Sequence, residues 1–128
     1  MGGAKVKDKI PLIMKMLDLV DEMIIGGGMA FTFNKVVHGT NIGKSLYDEE
    51  GAKLVNEIMA KAKERGVKIH LPVDFVSGDK LEESAKTEIS DVEHGIHKDW
   101  IGLDIGPKTM RENDEVISRA KTIFWNGP

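Results

Sequence analysis

What most limits the fold of this chain is the way helical spacing gives way to strand chemistry across single glycines. Leu54, Val55, Ile58, Met59 and Ala62 recur at three- and four-residue intervals, while Lys53, Glu57, Lys61 and Glu64 fall away from that stripe. Gly66 ends the pattern in the manner of a C′ glycine, and two runs of strand type follow at once, residues 68–71 and 73–76. Further runs of strand type occupy residues 23–25, 100–103 and 122–125. Two more helices are signalled. One opens on Asp8 as N-cap, with Pro11 in its first turn and Ile10, Ile13, Met14 and Leu17 on its apolar side. The other opens on Thr109 and Glu112, spaced as a capping box, and turns Val116, Ile117 and Ala120 inward. Helices alternating with short strands predict a parallel or mixed sheet covered by helices, and the expected fold class is α/β, a three-layer Rossmann-like parallel sheet with flanking helices. The charged residues 77–99 carry little periodicity and are expected to be irregular.

Composition then removes whole classes of function. At 128 residues the chain is one domain at most, and a hydrophobic share of 41% supports a packed core. Its 18 basic and 21 acidic side chains are mixed along the chain, leaving a net charge of −3 and no basic stripe for nucleic acid. The absence of cysteine excludes a disulfide framework and a thiolate metal site. No apolar run approaches the roughly 20 residues of a membrane span, and MGGAKV has neither a signal-peptide core nor a myristoylation serine or threonine. A soluble, untargeted, cytoplasmic protein is expected.

Several motifs fall where strand-to-helix loops gather. Gly26, Gly27 and Gly28 lie between the run at residues 23–25 and a helix starting near Met29. They would let a ligand lie against backbone and helix N-terminus, and a tight turn with no ligand would use the same residues. Lys5 and Lys9, four apart behind Gly2 and Gly3, either present two ammonium groups to one phosphate chain or are two solvated lysines. In WNGP, Asn126 bonds its own turn or a ligand, and local chemistry favours the turn. His38 stands at a helix end, His70 in a strand, and His94 and His97 lack the partners of a metal or catalytic centre, so no metal site is expected. The methionines read as core filler, and Trp100 and Trp125 as buried aromatics.

Taken in order, GGAKVKDKI, IIGGGMAFTF, KIHLPVDFV, GLDIGP and TIFWNGP resemble the phosphoglycerate kinase family over essentially the whole chain, within the first part of its carboxyl-terminal, nucleotide-binding domain. The resemblance implies residues 1–128 as a partial nucleotide-binding domain. It also implies a reaction, the reversible transfer of a phosphoryl group between ATP and 3-phosphoglycerate, giving ADP and 1,3-bisphosphoglycerate with Mg²⁺. By the same resemblance Gly2, Gly3 and Ala4 belong to an adenine-side loop, and Lys5, the implied catalytic residue, and Lys9 meet the phosphates. Gly27 and Gly28 lie along the adenine, Leu103 is an apolar contact with the base, and Asn126, Gly127 and Pro128 approach phosphates and sugar. Leu81 stands where several members carry Phe. The family's ribose glutamate, its Gly-Gly-Asp turn with the magnesium aspartate, and the basic phosphoglycerate site have no counterpart among these residues. The expectation is therefore a segment with weak ADP or ATP binding, no activity alone, and either self-association through exposed sheet edges or a marginally stable monomer whose termini and residues 77–99 are loosest. The alternative is a self-sufficient, non-catalytic nucleotide-binding or interaction module.

Overall fold

A computed structural model describes residues 1–128. Its helices form where apolar side chains recur at helical spacing. Helix α1 (Val6–Met16) buries Val6 and Ile13, α2 (Met29–His38) buries Met29, Ala30 and Phe33, and α3 (Glu49–Arg65) buries Val55, Ile58 and Ala62. Helix α3 stops at Gly66, whose φ of 70° is the left-handed conformation that frees a chain from a helix. Strands β1 (Glu22–Ile24) and β2 (Lys68–His70) pair in parallel, with Met23 opposite Ile69. Both α1 and α2 pack on α3, and their buried side chains join Leu17, Met23, Ile25 and Val67 in the main core. Each large aliphatic side chain so buried contributes about 1.5–3 kcal/mol. The α/β arrangement of helices around a parallel pair is the one the sequence pattern predicts.

The parallel ladder stops short of Pro72, which has no N–H to give a neighbour. Its carbonyl accepts a hydrogen bond from Asn34 Nδ2 at 3.2 Å, and the chain passes into a second sheet. There β3 (Asp74–Gly78) lies between β4 (Thr87–Asp91) and β5 (Ile101–Ile105), antiparallel to both. Phe75 of β3 and Phe31 of α2, with ring centroids 5.3 Å apart, form a smaller core with Ile42 and Ile96. Helix α4 (Pro107–Arg119) packs on β3.

Several local expectations are corrected. Helix α1 begins two residues before Asp8, because a carboxylate from another element, Asp48, accepts the Lys7 N–H and supplies the cap. Helix α4 begins at Pro107, so Thr109 is inside its first turn. There the Thr109 hydroxyl bonds Asp74, and no capping box forms. The buried stripe of α4 is Thr109 and Val116 alone, and Ile117 and Ala120 face solvent. Residues 77–99 contain the ordered β4, whose outer-edge position buries only Ser90 and so erases the alternation that marks a half-buried strand. Residues 122–125 form no strand, since no neighbouring strand pairs with them, and Trp125 is 84% exposed rather than buried. Trp100 precedes β5 and packs against the smaller core.

Candidate functional site

Three stretches far apart in sequence meet beside the N-terminus of α2. Gly2 forms a parallel bridge to Gly26, the Gly26 N–H donates to the Met1 carbonyl at 2.9 Å, and the Met29 N–H donates to the Gly3 carbonyl at 2.8 Å. Gly2 also donates its N–H to the Asn126 carbonyl at 2.9 Å. GGAK, GGG and WNGP are thereby one structural unit. The approach is close enough to demand glycine. Gly27 has φ 71°, and a Cβ on it would lie 2.9 Å from both the nitrogen and the oxygen of Gly3. A Cβ on Gly28 would lie 3.3 Å from Ala4 Cα. Backbone packing thus accounts for Gly27 and Gly28 without a ligand, and the first amide of α2 is committed to Gly3.

The two lysines of GGAKVKDK differ in their surroundings. Lys9 sits in α1 and donates from Nζ to Asn126 Oδ1 and to the Gly127 carbonyl, the latter at 2.7 Å. It ties WNGP to the helix, and one of its three donors remains for another acceptor. Lys5 is the N-cap of α1, with extended backbone and an exposed side chain that no carboxylate pairs with. A free cation therefore stands at a helix N-terminus beside the glycine loop, an arrangement suited to an anion.

Asp48, which precedes α3, stabilises that terminus. Its carboxylate accepts the Lys7 N–H at 2.9 Å, and its own N–H donates to Thr32 Oγ1 at 3.0 Å within α2. Burial pushes the Asp48 carboxyl up. The amide of Lys7, the neighbouring Gly51 amide and the cations of Lys5 and Lys7 outweigh burial and hold it below the usual range. The sequence reading missed this residue. The available signal, an acid opening an amphipathic stripe, points to the cap of α3, whereas the carboxylate's hydrogen bond is made to α1 and its own helix receives only the favourable proximity of the Gly51 amide.

An apolar cavity of about 400 Å³ borders the same loop. Its lining includes Gly27 and Gly28 from the loop, Phe75 from β3, Leu103 from β5, and Leu46 and Leu81 from connecting segments. Leu81 is 79% exposed and offers an uncovered apolar surface at the mouth. Leu46 was not legible in sequence, because a lone leucine in a loop carries no periodicity. A more open, polar groove of about 410 Å³ between Lys35, Asn41, His94 and Lys98 contains none of the glycine motifs.

The histidines serve other ends. His70 Nε2 lies 2.9 Å from Glu22 Oε1, and Arg119 Nε donates to Glu22 Oε2 at 2.9 Å, which joins β1, β2 and α4. The Arg119 guanidinium first, and His70 second, hold the Glu22 carboxyl down at about 2. His94 pairs with Asp91 on the surface, and that carboxylate raises its pKa. No group of three or more His, Asp or Glu side chains is assembled to hold a metal ion.

The chain matches the family model of phosphoglycerate kinase over residues 1–128. It is 70% identical to the phosphoglycerate kinase of Sterkiella nova over 129 residues and 64% identical to that of Tetrahymena thermophila over 128, in each case along 100% of this chain. The solved phosphoglycerate kinase from Coxiella burnetii superposes with a TM-score of 0.93 at 39% identity, covering 99% of this chain and 32% of that one. The enzyme from Pyrococcus horikoshii OT3, at 21% identity and a TM-score of 0.64, shares the fold. The chain spans about a third of the length of the curated relatives it matches, 31% and 30% for the two named. With a family match from the first residue to the last and identities this high, the chain belongs to the phosphoglycerate kinase family.

Proposed function

We propose that this chain forms part of the nucleotide site of a phosphoglycerate kinase, on the donor side of phosphoryl transfer between ATP and 3-phosphoglycerate. The observation that supports this reading is the continuity of two features across one loop. An apolar cavity lined by Gly27, Gly28, Leu81 and Leu103 lies on one side, and the unpaired cation of Lys5 with Lys9 and Asn126 lies on the other. A nucleotide has the same polarity, with a flat apolar base at one end and phosphates at the other. In this reading the base covers Leu81 and Leu103, and the phosphates run past the backbone of Gly2, Gly3 and Ala4. Lys5 neutralises the transferring group while the spare donor of Lys9 meets the next phosphate, with Asn126, Gly127 and Pro128 held beside it. Phosphoryl transfer depends chiefly on such positioning and charge neutralisation. Magnesium would come with the nucleotide's phosphates. The side chains gathered here do not form a site for it, since the Asp48 carboxylate is committed to the Lys7 amide.

These residues supply donor-side contacts, and in-line transfer needs both substrates held at one point, so the 128-residue polypeptide by itself is expected not to turn over. Charge-assisted hydrogen bonds contribute roughly 1.5–3 kcal/mol each before ordering costs, which places ADP affinity in the high micromolar range or weaker. A cytoplasmic setting fits the reading, and no helix is long and apolar enough to cross a membrane. Titration of the isotopically labelled chain with ADP and with adenosine tests it. Both should shift the amides of Gly27, Gly28, Leu81 and Leu103, and Lys5→Ala should weaken ADP about tenfold while leaving adenosine unchanged. Shifts confined to the groove of Lys35, His94 and Lys98 would refute it.

A further inference from the structure

We propose that Asp48 is a positioning residue for Lys5, fixing the start of α1 so that the Lys5 ammonium is held toward the phosphate position beside the glycine loop. This rests on the nucleotide reading above.

Three helices converge on this one residue. Its carboxylate accepts the Lys7 N–H of α1 at 2.9 Å, its N–H donates to Thr32 Oγ1 of α2 at 3.0 Å, and its carbonyl accepts the Ala52 N–H of α3 at 2.8 Å. Thr32 is fully buried and lies one turn past Gly28, so the path from the glycine loop to Lys5 runs through Thr32, Asp48 and Lys7. Helix α1 has no other side-chain cap, because the residue at its N-cap is Lys5 itself, which has no acceptor to offer. Without Asp48 the first turn loses its tertiary cap. Lys5 leaves the chain one residue before that turn, so it would sweep a larger volume. The exposed bond from Lys7 Nζ to Glu50 Oε2, at 2.8 Å, adds a strap between α1 and α3 but makes no bond to an α1 amide.

The charge of Asp48 acts in the opposite direction from its geometry. A carboxylate near Lys5 disfavours a phosphate there, so if charge alone mattered, removing it would tighten ADP. If positioning dominates, losing the acceptor loosens ADP. The two variants Asp48→Ala and Asp48→Asn separate these effects, because asparagine keeps an oxygen for the Lys7 N–H and discards only the charge.

The measurement is the ratio of ADP affinity to adenosine affinity for the 128-residue chain, by titration of amide shifts. Adenosine reports the apolar cavity, and the ratio reports the phosphate end. Positioning predicts that Asp48→Ala lowers the ratio about fivefold, that Asp48→Asn restores it, and that adenosine affinity changes in neither. A ratio that rises equally in both variants, or one unchanged in Asp48→Ala, overturns the proposal. If Asp48→Ala does not fold, Thr32→Val, which removes the acceptor for the Asp48 N–H and keeps the side-chain volume, should lower the ratio more mildly, and an unchanged ratio there overturns it too. A wild-type chain that binds adenosine and ADP equally overturns the phosphate role of Lys5, and the positioning role with it. A normal wild-type ratio with unaffected variants overturns only the latter.

Discussion

Removing the carboxylate of Asp74 should detach α4 from the rest of the fold more effectively than any substitution within α4 itself. The carboxylate reaches from β3 into the first turn of the helix, where it accepts the Lys108 N–H at 3.0 Å, the Thr109 N–H at 2.8 Å and the Thr109 hydroxyl at 2.6 Å. In Asp74→Ala the Lys108 amide recovers part of its loss from water, because that residue is exposed. The Thr109 amide does not, because Thr109 is 1% exposed, whereas its hydroxyl can still donate to the Asp74 carbonyl at 3.2 Å. A lost N-cap costs about 1 kcal/mol and a stranded buried amide about 2 kcal/mol more, for a total near 3 kcal/mol. For a chain of this size that lowers Tm by roughly 10 °C. Urea unfolding followed by Trp100 fluorescence gives the value, and the m-value should not change. The pH dependence supplies a second check. Burial pushes the Asp74 carboxyl up, but its bonds from Thr109 and Lys108, with the Arg111 cation, bring it below its ordinary 3.8. A depressed carboxylate contributes stability that is present above its unfolded pKa and is lost as pH falls through the folded one. The penalty of Asp74→Ala should therefore be full above pH 3.8 and shrink below it. A loss under about 1 kcal/mol at neutral pH, or one that is the same on both sides of that value, would refute this account of the helix start.

Three further outcomes are expected. Glu22, held at about 2 by Arg119 and His70, should contribute stability above its ordinary 4.5 that fades between those two values; Glu22→Gln should abolish that slope, and a carboxyl titration near 4 by carbon NMR would contradict it. Gly27→Ala should cost at least about 1–2 kcal/mol, because it combines a left-handed backbone with contacts to Gly3, and thermal melts reporting a neutral change would rule that out. Exposed Ile123, Phe124 and Trp125, together with the unpaired edges of β4 and β5, should drive association that grows with concentration, whereas sedimentation as a monomer at high concentration would exclude it.

What could be read from the residues was local. The stripe of α3 and its stop at Gly66, and the turn of Gly26 to Gly28 into a helix at Met29, are encoded within a few neighbouring positions, and the structure follows them. What escaped was capping from a distance. Asp48 acts on Lys7 across 41 residues and Asp74 on Thr109 across 35, so α1 and α4 begin earlier than their own sequences signal. Strand β4 escaped because an edge strand with one buried serine has no apolar period to detect. For the candidate site, the family resemblance named Gly27, Gly28, Leu81 and Leu103, which the fold gathers at one cavity, but Leu46 on the same cavity has no signature beyond its contact with the others.

The seam at Pro72 lies between two apolar cores of unequal size, twelve buried residues against four. Residues up to β2 supply the main core and also Phe31 and Ile42 of the smaller one, which Phe75 and Ile96 complete beyond Pro72, and the apolar cavity is lined by Pro72 and Phe75 at the junction. Amide exchange should then show two tiers, with β3, β4 and β5 opening at a lower free energy than α1, α2 and α3. Such an opening would remove Leu81 and Leu103 from the cavity while Gly27, Gly28 and Lys5 stay in place. A ligand bridging both walls would slow exchange in the weaker unit first, and the lag between the two tiers would measure how tightly the cavity is held shut.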